Sequence, residues 1–522
     1  MRRPPEVPRG PIDLLVIGAG INGAGIARDA ALRGLSVAVV DKGDIASGTT
    51  GWSTRLIHGG LRYLEHFEVG LVRESLRERE GLLRTAAHLV HPLSFFVPIY
   101  ERDRRGPMTV RAGMTAYDAL APGSLGGHRM LDSEDALEAE PSVASEGLKG
   151  AAVYYDAQAE FPERLAVENA LSAHDSGALV LPYHRVERLE VDDGRVRGAS
   201  LRSPDGSGVR LDARVTMNVA GPWVDEVLAP LDAERMIGPT KGSHLVVEAF
   251  PGAPEQALYV EAGDGRPYFV VPWNDLYLIG TTDTRYNGDL DDVEASEEEI
   301  AYLIEATNQV LPKAHLERDA VLYTYAGVRP LPYAPEGEEG SVSRGHVVHD
   351  HAPELDGLLS VVGGKLTTFR SLAEDAVDAA LEHLDRPALD CRTRDELLPG
   401  AVGFKGEESP GDRLARLYGA RRDEILARAK EDPRLGEPLD PRTGVIGAEV
   451  AHALECELAT TLADVLLRRT MVGLGPDAGV GPDRAMADLA VEALGWDRER
   501  ADAEVTAYRR RIARMHPRSL EP

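Results

Sequence analysis

The sequence contains little cysteine and no long apolar run, and each absence excludes a class of protein. Cys391 and Cys456 are its two cysteines, far apart in 522 residues, so neither a disulfide framework nor a cysteine-rich zinc site is expected. We predict no metal site and a reducing, cytoplasmic location. A secretory signal requires an apolar run near the N-terminus, and none precedes Ile12. No segment reaches the roughly 18 apolar residues of a membrane-spanning helix.

Positive charge is also scarce, because 58 basic residues face 86 acidic ones and the net charge is −28. Such a chain repels nucleic acid, so we predict no nucleic-acid partner. It repels an anionic substrate as well, and a site for one therefore needs its own arginines. The 522 residues, 43% of them hydrophobic, can bury a large core and correspond to about three domain-sized units.

The N-terminal region predicts a nucleotide-binding turn. Residues 12–42 have the pattern of a buried strand, a helix and a second strand, with Gly18, Gly20 and Gly23 in the first turn. These glycines permit a tight turn, close approach of the backbone to a pyrophosphate, and close packing of helix on strand. Asp41 ends the second strand 18 residues after Gly23, where a ribose-binding carboxylate is expected. The pattern predicts dinucleotide binding without distinguishing FAD from NAD.

A loop rich in glycine and hydroxyl groups follows, with the sequence GTTGWSTRLIHGGLRYLEH at residues 48–66. It comes at the carboxyl end of the predicted sheet, where ligands bind in doubly wound folds. Its hydroxyl groups can donate to phosphate or ring oxygens, or can simply cap turns. His58 fits a structural and a chemical role equally well, and Gly59-Gly60 would let the backbone lie flat against a planar ring.

Later segments supply candidate anion-binding groups. A strand ends in small residues near Gly221, and His244 lies at the beginning of another. Arg329 directly precedes a proline, which favours an extended backbone, and Arg344 lies in a further short β pattern. Each arginine taken singly is typical of a surface ion pair. An arginine fixed in an apolar context is a better candidate for binding phosphate, whose geometry its guanidinium matches.

A second glycine turn near the end of this region favours FAD over NAD. A buried strand ends at Gly363-Gly364, and Lys365, Thr367 and Thr368 then begin a helix whose amides and dipole face an electron-rich group. It comes 340 residues after Gly23, and the larger cofactor needs walls from distant segments.

Three further segments have clear patterns. Residues 69–90 predict an amphipathic helix with Val90 on its apolar face. Residues 184–202 predict a hairpin around Asp193-Gly194. Residues 241–285 predict a mixed or antiparallel sheet that can cover a ligand.

The C-terminal part has a different composition. A segment rich in proline, glycine and charge at 386–410 predicts a linker. Beyond it the chain is predicted to be helical, with apolar residues at every fourth position from Val450 to Leu466. Packing of these helices on the rest of the chain is more plausible than a separate partner-binding module.

Four of these segments together resemble one family, the FAD-dependent, quinone-linked glycerol-3-phosphate dehydrogenases. The resemblance is dense over about residues 12–380 and looser beyond, and the motifs that carry it are DLLVIGAGINGAGIARDAALRG, TRLIHGGLRYLE, YAGVRPL and VGGKLTTFR. It implies an α/β fold in which a Rossmann-like FAD-binding domain is interleaved with a β-rich substrate domain, as in glycine and D-amino-acid oxidases, followed by a C-terminal α-helical domain. The implied boundaries are 12–385 for the oxidoreductase body (FAD-binding parts at about 12–90, 150–225 and 345–385; substrate-binding parts at about 91–149 and 226–344), 386–410 for the linker and 411–522 for the helical domain.

The resemblance also implies residue roles. Substrate would be bound by Arg62, His244, Arg329 and Arg344, with Lys365 close to the reactive edge of the flavin. Non-covalent FAD would be bound by Gly18, Gly20, Asn22, Gly23, Asp41, Lys42, Ser47, Thr49, Ser53, His58, Gly59, Gly60, Gly221, Gly363, Gly364, Lys365, Leu366 and Thr367.

The implied reaction is oxidation of sn-glycerol 3-phosphate to dihydroxyacetone phosphate, by hydride transfer from substrate C2 to flavin N5. Arg329, with Arg344 and Arg62, would hold the phosphate. His244 is the first choice of base, and Lys365 or a water beside it the second. Electrons would pass to quinone from a homodimer bound peripherally to the inner face of the cell membrane.

Two departures from the family pattern and three other functions remain open. The family has small residues where this chain has Gly51-Trp52, so we expect a different closure of the loop. It has paired aspartates where this chain has AEFPERL at 159–165, so we expect a stabilising contact to be lost there. The alternatives are a glycerol-3-phosphate oxidase that makes hydrogen peroxide, an amine or amino-acid oxidase, and a dinucleotide-binding regulator without activity.

Overall fold

A computed structural model describes residues 10–121, 125–334, 345–387, 389–406 and 412–520, apart from the side chains of Arg62 and His66. Its strands, in chain order, are β1 (Ile12–Ile17), β2 (Val37–Val40), β3 (Leu56–Ile57), β4 (Val90–Tyr100), β5 (Arg129–Leu131), β6 (Leu148–Ala159), β7 (Leu179–Leu181), β8 (Arg185–Asp192), β9 (Arg195–Arg202), β10 (Gly208–Asn218), β11 (Ile237–Val247), β12 (Ala257–Glu261), β13 (Pro267–Trp273), β14 (Leu276–Gly280), β15 (Thr284–Arg285), β16 (Val321–Pro332), β17 (His346–Asp350) and β18 (Leu358–Gly363).

The α-helices fall into two groups along the chain. Those of the first part are α1 (Ile21–Leu32), α2 (Val69–Thr85), α3 (Pro107–Leu120), α4 (Ser133–Ala139), α5 (Pro162–Asp175), α6 (Val224–Leu228), α7 (Glu297–Val310) and α8 (Phe369–His383). Those of the C-terminal part are α9 (Arg413–Tyr418), α10 (Arg422–Glu431), α11 (Pro433–Gly436), α12 (Gly447–Cys456), α13 (Leu462–Asp464), α14 (Pro482–Ala493) and α15 (Arg498–Ala513).

The first sheet is the predicted nucleotide-binding sheet. Its strands follow the order β17-β18-β10-β1-β2-β7, and the pairs from β18 to β7 are parallel. Buried apolar residues of β1, β2 and β10 pack against α1, α5 and α8 in one core. The predicted hairpin is confirmed as β8 and β9, which extend the sheet from β10. Because parallel strands end at one edge, the turns after β1, β10 and β18 meet there.

The second sheet is mixed, as expected for the region 241–285. Its order is β15-β11-β14-β13-β12-β4-β6-β3, with β16 paired to β11 and β5 to β6. Most pairs are antiparallel, whereas β4 and β12 run parallel. One face packs against α7, and the other shares a hydrophobic core with the C-terminal helices.

Two of the predicted helices differ from the structure. The helix predicted at 69–90 ends at Thr85, and Val90 instead begins β4, where it pairs with Ala159 of β6. The long pairing of β4 with β6 outweighs the local helical pattern, and Pro92 favours extended backbone before it.

The helix predicted from Val450 to Leu466 is also interrupted. It ends at Cys456, and Leu458 has a left-handed φ of +59°. Thr461 then caps a new turn, because its side chain accepts a hydrogen bond from the Asp464 amide. The apolar residues at every fourth position are buried or half-buried, as the pattern predicted, but the prediction of one continuous helix was wrong.

Segment 159–165, where we expected a lost contact, supplies ion pairs to other parts of the chain. Glu160 pairs with Arg416, and the Glu163 carboxylate accepts from both terminal nitrogens of Arg55 at 2.9 Å. Arg164 donates to Glu457 at 2.6 and 2.9 Å. This segment therefore joins the body to the C-terminal helices.

The described part of the predicted linker lies against the body. Leu398 N donates to Thr85 O at 2.9 Å, and Gly400 N donates to Glu168 Oε2 at 2.7 Å. Arg28 donates to the Glu396 carbonyl at 2.8 Å.

Candidate cofactor and substrate site

The glycine turn after β1 fixes how closely α1 approaches the sheet. Gly18 has a φ of +108°, and a Cβ there would lie 2.5 Å from Val219 O. A Cβ on Gly23 would lie 1.8 Å from Gly18 O. At Gly20 the nearest group is Thr50 Oγ1, at 3.4 Å, which leaves this residue the least crowded of the three. Gly18 thus permits the tight turn, Gly23 permits close packing of helix on strand, and Gly20 keeps its backbone accessible.

Asp41 links the end of β2 to this turn. One carboxylate oxygen accepts from Ala19 N at 2.7 Å, and the other accepts from Gly43 N at 2.8 Å. The carboxylate therefore stabilises the glycine turn, and its role toward ribose stays a prediction.

Segments that are far apart in sequence converge at this edge of the sheet. His58 N donates to Thr367 Oγ1 at 3.1 Å, which joins the loop at 48–66 to the second glycine turn. A Cβ on Gly364 would lie 3.2 Å from Asn22 Nδ2 at the beginning of α1. The helix after this turn begins at Phe369, later than predicted. Residues predicted separately to bind one cofactor are thus brought together.

The hydroxyl groups of the loop form hydrogen bonds within the protein, several of them at turns. This agrees with turn capping, one of the two roles predicted for them. Thr49 Oγ1 donates to Val328 O at 2.6 Å, and Ser53 Oγ donates to Thr50 O at 3.2 Å. Ile21 N, at the beginning of α1, donates to Thr50 Oγ1 at 3.0 Å. A Cβ on Gly43 would lie 2.8 Å from Ser47 Oγ.

Other predicted cofactor residues have contacts within the protein. Lys42 pairs with Asp291 and lies 4.3 Å from the centre of the Trp223 ring. The Tyr117 hydroxyl accepts from Gly59 N at 2.8 Å, and the Tyr63 ring fills the place of a Cβ on Gly60. The protein's own aromatic side chains thus explain glycine at these two positions. Gly221 and Gly363 have left-handed φ values of +59° and +76° in their turns, and Leu366 is half-buried.

His244 lies in β11 directly opposite Tyr325 of β16. The two rings stack with centroids 4.7 Å apart, and His244 Nε2 lies 3.0 Å from Thr54 Oγ1. His244 Nδ1 is buried and has no hydrogen-bond partner among the described residues. Burial, followed by the positive charges of Arg329 and Arg55, holds the His244 pKa well below its ordinary value of 6.5. The imidazole is therefore neutral at neutral pH.

Arg329 lies on β16, four residues after Tyr325, and is opposite Thr240 of β11. Its guanidinium donates to Asp283 Oδ1 at 3.0 Å and to Thr281 Oγ1 at 3.1 Å, and it is partly exposed. The two acceptors hold it on the face of β16 that Tyr325 also occupies, four residues earlier.

Lys365 has a different environment. Its ammonium donates to Ser75 Oγ at 2.8 Å and lies 4.2 Å from the centre of the Tyr63 ring. The structure therefore holds Lys365 toward α2. The Arg62 side chain and all of Arg344 lie outside the described residues.

Sequence reasoning missed Tyr325, Asp283 and Arg55 as parts of this site. Arg55 is fully buried, and its guanidinium lies 4.5 Å from the Trp273 ring centre and 5.7 Å from that of Tyr325. The available signal was the spacing of Tyr325 and Arg329, which places both on one strand face.

Comparisons with known proteins identify the family. Residues 13–370 match the FAD dependent oxidoreductase family, and 390–501 match the C-terminal domain of alpha-glycerophosphate oxidase. A glycerol-3-phosphate dehydrogenase of Synechocystis sp. is 44% identical over 97% of both chains. The chain belongs to the FAD-dependent glycerol-3-phosphate dehydrogenase family. The enzyme is also 38% identical to D-erythritol 1-phosphate dehydrogenase of Brucella abortus, over 88% of this chain and 94% of that protein.

A solved structure agrees with this assignment. Glycerol-3-phosphate dehydrogenase from Bacillus halodurans, complexed with FAD, superposes with a TM-score of 0.79 at 27% identity and covers 98% of this chain and 97% of its own. The enzyme is an FAD-dependent oxidoreductase, and the predicted family, fold class and cofactor are confirmed.

The site itself fits FAD. Asn22 Oδ1 and Trp223 Nε1 are buried without a hydrogen-bond partner among the described residues, and both lie beside the converging turns. Buried polar atoms are almost always hydrogen-bonded, so this pair fits a bound polar ligand.

Of the helices that the structure describes, none combines the length and the apolar character needed to cross a membrane.

Proposed function

We propose that this enzyme oxidises sn-glycerol 3-phosphate to dihydroxyacetone phosphate. The observation that carries the proposal is the 44% identity, over 97% of both chains, to a protein named glycerol-3-phosphate dehydrogenase. The position of His244 on β11 and of Arg329 on the neighbouring β16 supports it, because one residue can serve the hydroxyl and the other the phosphate.

In this proposal Arg329 binds the substrate phosphate. Its guanidinium is already oriented by Asp283 and Thr281, and it keeps exposed surface for a further acceptor. An oriented guanidinium matches phosphate oxygens and loses little freedom on binding. Arg62 and Arg344 remain proposed partners of the same phosphate.

Bound FAD supplies the acceptor for the hydride that leaves C2. His244 accepts the C2 hydroxyl proton at Nδ1, while its Nε2 donates to Thr54 Oγ1. The Thr54 hydroxyl can either donate or accept in this contact, and the proposed role of His244 requires the tautomer that is protonated at Nε2. Lys365 or a water beside it remains the second choice of base. The cofactor-binding roles of the residues predicted from the sequence remain part of the same proposal.

We further propose that quinone accepts the electrons, at a homodimer bound peripherally to the membrane. These steps rest on the family resemblance. The alternative acceptor is O₂, with hydrogen peroxide as product. Turnover of glycerol 3-phosphate with a soluble quinone analogue, under nitrogen and in air, separates the two. The proposal predicts quinone-dependent turnover and little peroxide, whereas peroxide equal to substrate consumed would establish an oxidase.

The substrate is tested by comparing polyol phosphates. Glycerol 3-phosphate and D-erythritol 1-phosphate are each mixed anaerobically with the purified enzyme, with glycerol as the control that lacks phosphate. We expect the highest rate of flavin reduction, at equal low substrate concentration, for glycerol 3-phosphate and negligible reduction by glycerol. A higher value for D-erythritol 1-phosphate would replace the proposed substrate while keeping its chemical class.

A further inference from the structure

Four consecutive residues of the glycine-rich loop contact the stacked pair of Tyr325 and His244. The Trp52 ring centroid lies 5.6 Å from that of Tyr325, and the planes are tilted by 48°. The Tyr325 hydroxyl donates to Ser53 O at 2.9 Å. Thr54 contacts His244 and Arg55 contacts Tyr325, as described above. The loop therefore holds this ring pair by several independent contacts.

Trp52 fills the space between β16 and the end of α15. A Cβ on Gly327 would lie 2.8 Å from both Trp52 Cβ and Trp52 O, so glycine at 327 admits this segment. On the other side, the Arg514 guanidinium lies 5.2 Å from the Trp52 ring centre. Arg514 Nη1 is held in turn by Asp291 O at 3.1 Å.

The end of α15 also binds β16 directly. Thr324 N donates to Met515 O at 2.7 Å, one residue before Tyr325 and one residue after Arg514. The C-terminal helix thus fixes the strand through its backbone and the Trp52 ring through a guanidinium. The contacts run from Arg514 through Trp52 and Tyr325 to His244.

We propose that Trp52 is a positioning residue of the substrate site, which presses Tyr325 against His244 and is itself held by Arg514. This inference rests on the proposed function, because that function assigns His244 to the reacting hydroxyl. An imidazole packed on one face by Tyr325 turns when Tyr325 is free to tilt. Small errors in the placement of a reacting group reduce the rate steeply, whereas binding through a distant phosphate is unaffected.

The test compares Trp52→Leu and Trp52→Phe in the FAD-loaded enzyme, by the rate of flavin reduction at varied glycerol 3-phosphate. We expect Trp52→Leu to lower the limiting rate roughly tenfold and to change KM less than about twofold. Trp52→Phe keeps an aromatic ring against Tyr325 and restores most of the rate. A limiting rate equal to wild type in Trp52→Leu, or no recovery in Trp52→Phe, would overturn the inference.

Arg514→Gln tests the same chain of contacts without changing the loop. Its matched control is Arg500→Gln, because Arg500 lies on α15, which ends just before Arg514, and its guanidinium is 4.3 Å from the Trp496 ring centre. We expect Arg514→Gln to slow reduction a few-fold and Arg500→Gln to leave it unchanged. We also expect Arg514→Gln to add little in the Trp52→Leu background. Equal rates in the two arginine variants would refute the link, even if Trp52→Leu retained no FAD.

Failure of the proposed function gives a different result. If glycerol 3-phosphate does not reduce the wild-type flavin, the substrate assignment fails first. The variants are then compared with the polyol phosphate that does reduce it, and the ratio between Trp52→Leu and Trp52→Phe still tests the positioning role.

Discussion

Thr54 Oγ1 lies 3.0 Å from His244 Nε2, on a ring that is buried and stacked on Tyr325. Burial lowers the His244 pKa well below 6.5, and Arg329 and Arg55 lower it further. The neutral form therefore persists as pH falls through 6.5. We expect kcat/KM measured from about pH 5.5 to about 8.5 to contain no ionisation of His244 near 6.5. A pKa between about 6 and 7 that disappears in His244→Gln would contradict this.

Arg329→Ala is expected to raise KM for glycerol 3-phosphate roughly 10- to 100-fold, because it removes a charged donor to phosphate. Arg329→Lys keeps the positive charge but lacks the two-pronged guanidinium, so its KM should lie between those of wild type and Arg329→Ala. The control is Arg318→Ala, since Arg318 forms a partly exposed ion pair with Glu297. Steady-state kinetics with the quinone analogue measure all three, and an unchanged KM in Arg329→Ala would remove Arg329 from the phosphate site.

Breaking the buried pair of Arg164 and Glu457 should destabilise the enzyme. Both side chains are fully buried, and their two hydrogen bonds join α5 to the C-terminal helices. Glu457→Ala leaves a buried guanidinium with less compensation and should cost about 3–5 kcal/mol of unfolding free energy. The exposed pair of Arg202 and Glu187 is the control, for which Glu187→Ala should cost less than about 1 kcal/mol. Urea unfolding of the FAD-loaded enzyme compares them, and equal losses would refute the difference.

Asp464 should make stability depend on pH in the acid range. Burial disfavours its charge, yet Arg468 and Arg469 lower its pKa to about 2, with the Tyr183 hydroxyl also donating to it. Its folded pKa is below its unfolded value, so its contribution is present above about pH 4 and is lost as pH falls toward about 2. Urea midpoints across this range should fall less steeply in Asp464→Asn than in wild type. The exposed Asp423→Asn is the control, and parallel curves for all three proteins would contradict the assignment.

Gly23→Ala should reduce both FAD content and stability, because its Cβ would lie 1.8 Å from Gly18 O and push α1 away from the turn. Gly70→Ala is the matched control in α2, where nothing lies within 4 Å of the added Cβ. That change should stabilise the enzyme by up to about 1 kcal/mol, since alanine loses less freedom than glycine in a helix. Flavin absorbance per protein and thermal unfolding measure both, and full FAD content in Gly23→Ala would contradict the packing role.

Local patterns predicted the parts of the fold that depend on neighbours in sequence. The strand–turn–helix at 12–42 and the hairpin at 184–202 are both present, because their glycines and apolar spacing determine them directly. The interrupted helix beyond Cys456 was not predictable in this way. Its break depends on the Thr461 cap and on Asp464, whose partner Tyr183 lies 281 residues away in the sequence.

The site divides along the same line. The glycine turns of the proposed cofactor side are local in sequence, and the structure has both turns where the motifs predicted them. The substrate side depends on register between β11 and β16, which places His244 opposite Tyr325, and no local pattern fixes that register. Trp52 departs from the family pattern, and the sequence alone gives it no role. Its partners Gly327 and Arg514 are far from it in sequence and are identified only by the structure.

The most direct test is anaerobic mixing of the purified, FAD-loaded enzyme with glycerol 3-phosphate while the flavin absorption band is recorded. The proposed function predicts rapid loss of that band, saturating with substrate concentration, with dihydroxyacetone phosphate formed in an amount equal to the flavin reduced. A band that persists with glycerol 3-phosphate but is lost on chemical reduction by dithionite would contradict it.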